Sequence, residues 1–169
     1  MTGGIGEVGM LIFFCGKMGA GKSTKSKEIA QERNGVLLSE DVWLETLYPN
    51  KIRSLNDYIK YSNRIKPLVK NTVQGILVTG TNVVLDFPAN TIAQREWIKS
   101  IYKEINAPHE LIYLDVSNEI CLKQISNRRY EQPERSTTDT EEMFNQVTKY
   151  FVEPGLDEGF NVIKIEKHA

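Results

Sequence analysis

The chain has 169 residues, 40% hydrophobic and 25% charged, with a formal net charge of −1. That size suits one domain, 1–169, with a sizeable core and no room for a second, and the near-neutral balance excludes the overall electrostatic footprint of a dedicated nucleic-acid binder. Cys15 and Cys121 lie in apolar segments without CxxC spacing, and there is neither an 18-residue apolar stretch nor a basic leader, so the expected setting is cytoplasmic, without disulfides, membrane insertion or secretion.

The pattern GIGEVG at Gly4 to Gly9 matches GxGxxG but precedes the first strand, and residues 1–9 are expected to form a flexible terminus. The apolar run Met10 to Cys15 predicts a buried first strand. It is followed by GKMGAGKS at 16–23, a full GxxxxGK[ST] match, and then by a helix from about Lys22 to Arg33 that stops at Asn34-Gly35. Glycines at 16, 19 and 21 let consecutive N–H groups turn inward on an anion. Gly16, Lys17, Met18, Gly19, Ala20, Gly21, Lys22, Ser23 and Thr24 are therefore expected to cradle a nucleotide's phosphates. Lys22 would reach the β/γ-phosphates, and the Ser23 hydroxyl would be offered to Mg2+.

Val36 to Leu38 predicts a short second strand, and Ser39-Glu40-Asp41 follows it directly. At that strand end Asp41 can accept a proton from an attacking hydroxyl, or cap the next helix before Val42, Trp43 and Leu44. Ile65, Leu68, Val69, Thr72, Val73, Ile76 and Leu77 recur at helical spacing and predict a core helix ending near Gly80, with Pro67 kinking it or opening a fresh one. Asn82 to Asp86 predicts the third strand, with Asp86 at the place that organises Mg2+, and Thr91-Ile-Ala-Gln94 is a capping box opening a helix that buries Ile98, Ile101, Tyr102 and Ile105. Glu110 to Asp115 predicts the fourth strand, Asp115 reading as the cap of a helix from about Glu119 to Arg129. The polar segment Tyr130 to Thr140 interrupts the pattern. Met143, Phe144, Val147, Tyr150 and Phe151 then stripe one helix, and Asn161 to Ile165 predicts a last strand.

Alternating strands and helices of this kind predict a three-layer α/β/α sandwich around a mainly parallel five-stranded sheet. Arg128, Arg129 and Arg135 bracket the polar insertion; each alone reads equally as a solvated arginine at the end of a surface helix, but as a group they favour a lid at about 128–140 that would bring guanidinium groups to the transferring phosphoryl while excluding water. Residues 51–70 carry six cations against Asp57 alone, a net of +5, which reads as a solvated helix face or as a basic wall toward an anionic substrate. His109 and His168 lack partners at metal-ligand spacing, and no GxSxG nucleophile is present.

Together these residues resemble the small phosphate-loop kinases of the polynucleotide-kinase, zeta-toxin and chloramphenicol-phosphotransferase type, which are AAA-like ATP-binding domains. GKMGAGKST at 16–24, LLSED at 37–41, VVLDFPANTIAQRE at 83–96 and LIYLDVSNEICLKQISNRR at 111–129 carry the resemblance. It implies that Lys22 and Ser23 handle ATP and Mg2+, that Asp41 is the general base, that Asp86 assists, and that Arg128 or Arg129 is the lid arginine. Many relatives carry an arginine three residues after the acceptor-side aspartate, whereas this chain has Leu44, which removes an anion clamp and leaves the acceptor open.

The expected activity is transfer of the ATP γ-phosphoryl group to a hydroxyl of a small molecule or nucleic-acid end by a monomer or homodimer. The alternative is a nucleotide-dependent regulatory or binding module with little catalysis. A GTPase is the weakest alternative, because no NKxD motif occurs.

Overall fold

The computed structural model describes residues 7–168. Chain order is β1 (Leu11–Gly16), α1 (Lys22–Glu32), β2 (Val36–Ser39), α2 (Glu40–Leu47), α3 (Leu55–Leu77), β3 (Val83–Pro88), α4 (Ile92–Lys103), β4 (His109–Val116), α5 (Asn118–Glu131), a 3-10 turn (Pro133–Thr137), α6 (Glu141–Thr148), a second 3-10 turn (Leu156–Glu158) and β5 (Val162–Lys167). The sheet order is β2-β3-β1-β4-β5, and every pairing is parallel. β1 is buried along its whole length, because helices cover both faces of a parallel sheet. On one face Leu11, Phe13 and Cys15 pack with Ile65, Val69, Val73 and Leu77 of α3 and with Ile98 and Ile101 of α4. On the other, Ile12 and Phe14 pack with Ile29 of α1, Cys121 and Ile125 of α5 and Phe144 of α6. This is the three-layer α/β/α sandwich of a phosphate-loop NTPase.

Several local expectations are met where side-chain chemistry acts over a few residues. Asn34 takes the left-handed conformation (φ 50°) after α1. The capping box forms, with Thr91 Oγ1 accepting from Gln94 N–H at 3.1 Å and Gln94 Oε1 accepting from Thr91 N–H at 3.2 Å. Pro67, in contrast, does not start a fresh helix: α3 begins at Leu55, where Ser54 Oγ accepts from Asp57 N–H at 3.1 Å, and its helical assignment continues through Pro67 to Leu77. Pro67 is on the exposed face, so the carbonyl four residues back, on exposed Asn63, is open to water. The buried stripe of α3 is Ser62, Ile65, Val69, Val73 and Leu77, which turns Leu68 outward (61% exposed) instead of into the core. Tyr150 is also exposed, because α6 ends before it. Of the expected flexible terminus, residues 1–6 lie outside the described residues, and with them most of the GIGEVG pattern; Gly9 is buried, with its N–H donating to Leu77 O at 2.8 Å.

A fully buried cation on α4 had no signal in the pattern. Arg95 donates to Glu158 Oε1 at 2.9 Å, to Ala89 O at 2.9 Å and to Val152 O at 2.8 Å, clamping the segment before β5 onto α4.

His109 stacks on Tyr102 (centroids 4.1 Å apart) and its Nε2 accepts from Asn161 N–H at 3.1 Å, which requires the neutral ring. Burial, then Lys103 and Lys99, hold its pKa below the usual 6.5. The stabilising contribution is therefore complete above the unfolded-state value and is lost as pH falls through the depressed folded value. The melting temperature should drop on acidification below pH 6.5, and His109→Phe should flatten that part of the curve. Parallel curves for the two proteins would refute this.

Candidate active site

The chain leaves β1 at the point where strand order reverses between β3 and β4, the crevice where open α/β sheets collect ligands. Gly16 N–H donates to Asn90 Oδ1 at 2.9 Å, and Ala20 N–H donates to Lys17 O at 2.9 Å, fixing the loop between β1 and α1. Gly19 has φ 81°, and a Cβ there would lie 2.6 Å from Cys121 O and 2.7 Å from Ile125 Cγ1, so the loop rests directly on α5. Gly21 has φ 99° and heads α1 without a side-chain cap, and a Cβ there would meet nothing within 4 Å. No side chain therefore caps the first N–H groups of α1, which leaves them to an anion.

Lys22 Nζ donates to Gly16 O at 3.0 Å and so hangs over the same loop. Ser23 Oγ and Ser39 Oγ both donate to Asp86 Oδ2, at 3.3 and 3.4 Å. Burial raises the Asp86 carboxyl above its ordinary value, Lys22 pulls against that shift, and Asp41 adds to it. Among the described residues no group of three or more His, Cys, Asp or Glu is placed to hold a metal. The Ser23–Asp86 oxygens suit instead a small divalent cation that keeps phosphate and water as its other ligands. Lys17 turns away, donating to Asn118 Oδ1 at 2.8 Å, and Met18 packs against the α1–α5 core. Thr24 is exposed on the first turn of α1.

Asp41 lies in the first turn of α2, but Ser39 is the N-cap, so Asp41 is not the capping residue. Its side chain is 62% exposed and meets Arg135 NH2 at 3.7 Å. Asp115 is not a cap either: Ser117 caps α5, and Asp115 pairs with Lys164 and His168, each at 3.5 Å.

Arg128 and Arg135 converge on Asp139, a residue without a motif of its own in the sequence. Arg128 makes a bidentate pair with Asp139, at 2.7 and 2.8 Å, and Arg135 Nε bonds the same carboxylate at 2.8 Å. Arg129 donates to the Asp139 main-chain carbonyl at 3.5 Å. Asp139 is 1% exposed, so one buried acid gathers the arginines of this segment. Its one sequence signal is i,i+4 spacing from Arg135.

The basic window does not form a wall. Lys66 lies over the Trp97 ring at 5.4 Å, Lys60 and Arg64 lie over Tyr61, and Lys70 pairs with Glu104. A cavity of about 540 Å3 lies between the residues that lead into α3, Arg53 and Ser54, and α6 with the turn before it, lined there by Thr137, Thr140, Met143 and Gln146.

A phosphate loop after the central strand of a 2-3-1-4-5 parallel sheet defines the class, a phosphate-loop NTPase fold of the kinase type. The family is shown by a match of residues 11–154 to the AAA domain family, to which this chain belongs, and with it the resemblance to phosphate-loop kinases stands. The chain is 26% identical over 155 residues to an adenylate kinase of Rickettsia africae, covering 88% of this chain and 68% of the relative. It is 32% identical over 130 residues to an adenylate kinase of Petrotoga mobilis, covering 71% of this chain and 58% of that protein. Two solved structures share the fold. Chaetomium thermophilum Kti12 in complex with ADP-AlF3 matches with TM-score 0.67 and 17% identity over 92% of this chain and 88% of that one. The Mycobacterium tuberculosis APS kinase in complex with AMPPNP and APS matches with TM-score 0.59 and 13% identity over 95% and 89%. Among the described residues no helix is long and apolar enough to cross a membrane.

Proposed function

We propose that this chain is an ATP-dependent phosphotransferase that moves the γ-phosphoryl group to a hydroxyl of an acceptor seated between Asp41 and the cavity beside α3. The observation that carries the reading is the contact of the phosphate loop with β3, Ser23 Oγ donating to Asp86 Oδ2 at 3.3 Å, with the Lys22 ammonium over the same loop and Asp41 in the first turn of the helix that follows β2. The nucleotide complexes of Kti12 and the APS kinase, which share the fold, support it.

In this reading the loop N–H groups and Lys22 hold the phosphates and balance charge on the β- and γ-oxygens. Ser23 and Asp86 would hold Mg2+, which when bound neutralises charge across the same oxygens. Asp41 accepts the proton of the attacking hydroxyl as that oxygen bonds to the γ-phosphorus and the bond to the ADP oxygen breaks. Segment 128–140 acts as the lid. Its arginines start gathered on Asp139, Arg128 and Arg135 through the carboxylate and Arg129 through the main-chain carbonyl, and Arg135 also reaches Asp41 at 3.7 Å; Arg128 or Arg129 would swing from there toward the phosphates. Cys15 and Cys121 are both buried free thiols, in keeping with a reducing cytoplasmic setting.

The test is calorimetry with Mg-ATP and Mg-GTP, followed by a screen of metabolites and 5′-hydroxyl oligonucleotides with γ-labelled ATP. Binding of Mg-ATP in preference to Mg-GTP and a labelled product are expected. Absence of nucleotide binding would overturn the reading, and tight binding with no product from any acceptor would favour the regulatory module.

A further inference from the structure

We propose that Glu40 is a positioning residue: it ties α2 to α3 and thereby holds the neighbouring Asp41 carboxylate toward the phosphate loop. This rests on the reading of Asp41 as general base.

The side chain of Glu40 is turned inward, only 4% exposed, while Asp41, one residue on, faces the cleft at 62%. Glu40 Oε1 accepts from Tyr58 Oη at 2.6 Å and Oε2 accepts from Ser62 Oγ at 2.7 Å. Both donors are on α3, one turn apart, so the carboxyl bridges two rungs of that helix.

The pairing is unlike the molecule's other buried charges. Arg95 has Glu158, and Asp139 has two arginines, whereas Glu40 has no cation within salt-bridge distance among the described residues. Lys66, one turn beyond Ser62, holds its ammonium over the Trp97 ring. A buried carboxyl served by neutral donors alone is an expensive way to fill space, and an apolar side chain of similar size would pack there at less cost. Its specific effect is orientation. α2 has eight residues, buries one apolar side chain, Leu44, and has no side-chain cap bond at Ser39. The two bonds of Glu40 therefore fix both the rotation of its first turn and the direction in which Asp41 leaves it.

The experiment measures Mg-ATP hydrolysis, with water as the acceptor, for Glu40→Ala, Glu40→Gln and Tyr58→Phe, each made in the wild-type and Asp41→Asn backgrounds. Amide exchange of residues 40–47 is followed in parallel. Glu40→Ala should lower kcat by about tenfold to a hundredfold, the scale of a misplaced reacting group, with KM for ATP within about twofold. Glu40→Gln, whose amide can still bridge two hydroxyls, should recover most of that loss. Tyr58→Phe, which leaves the Ser62 bond and the apolar packing in place, should fall between. Exchange in 40–47 should quicken in Glu40→Ala. In the Asp41→Asn background Glu40→Ala should change kcat no further.

Wild-type kcat in Glu40→Ala, or the same fractional loss in both backgrounds, would overturn the proposal while leaving the base assignment intact. An Asp41→Asn protein as active as wild type would overturn the base assignment, and the role of Glu40 with it.

Discussion

Asp41→Asn should lower phosphoryl transfer by about 10²–10⁴-fold, the usual contribution of a positioned general base, while Mg-ATP affinity changes by no more than about twofold. Asparagine keeps the shape and leaves the Glu40 bridge untouched, so α2 should remain in place. What is lost is the capacity to take a proton from the incoming hydroxyl. The Asp41–Arg135 pair is 3.7 Å long and exposed on the Asp41 side, so its removal carries little stability with it. Single-turnover transfer to an acceptor found by screening, or to water, together with calorimetric titration of Mg-ATP, separates the two quantities. Transfer at the wild-type rate would remove Asp41 from the chemistry.

Lys22→Met should reduce transfer by about 10²–10³-fold or more and weaken nucleotide binding as well, because the ammonium serves both the bound phosphates and the charge that develops on them. Methionine preserves most of the stem, so the packing of the loop against α5 through Gly19 should survive. The ammonium sits 3.0 Å from the carbonyl oxygen of Gly16, the first residue of the motif it serves. Melting curves with and without Mg-ATP provide the check: the wild type should be stabilised by nucleotide and the variant much less so. Equal stabilisation would contradict the assignment.

How far the sequence foretold these features depended on the distance over which each acts. β1, the phosphate loop, the Asn34 stop and the Thr91 box were legible because a run of apolar residues, a glycine spacing or an i,i+3 pair encodes each one locally. The first half of α3 was not. Its inward positions there include Tyr58 and Ser62, turned to Glu40 instead of to an aliphatic core, so the apolar period breaks where the helix begins. Leu68 misled for the complementary reason, since an apolar side chain on the exposed face imitates the stripe. The burial of Glu40, Arg95 and Asp139 had no local signature, because a charged residue shows its burial through partners distant in sequence. Arg95 meets Glu158 across 63 positions, and Asp139 meets Arg128 across 11.

The Arg95 clamp bears on where this protein can be cut. The family match ends at residue 154, yet the carboxylate opposite the buried guanidinium belongs to Glu158, and Asn90, which steadies Gly16, also accepts from Val152 N–H at 2.8 Å. A fragment trimmed to the matched boundary would strand an unneutralised cation in the interior beside the strand that launches the nucleotide loop. The smallest autonomous piece therefore extends past that boundary and includes the turn at 156–158.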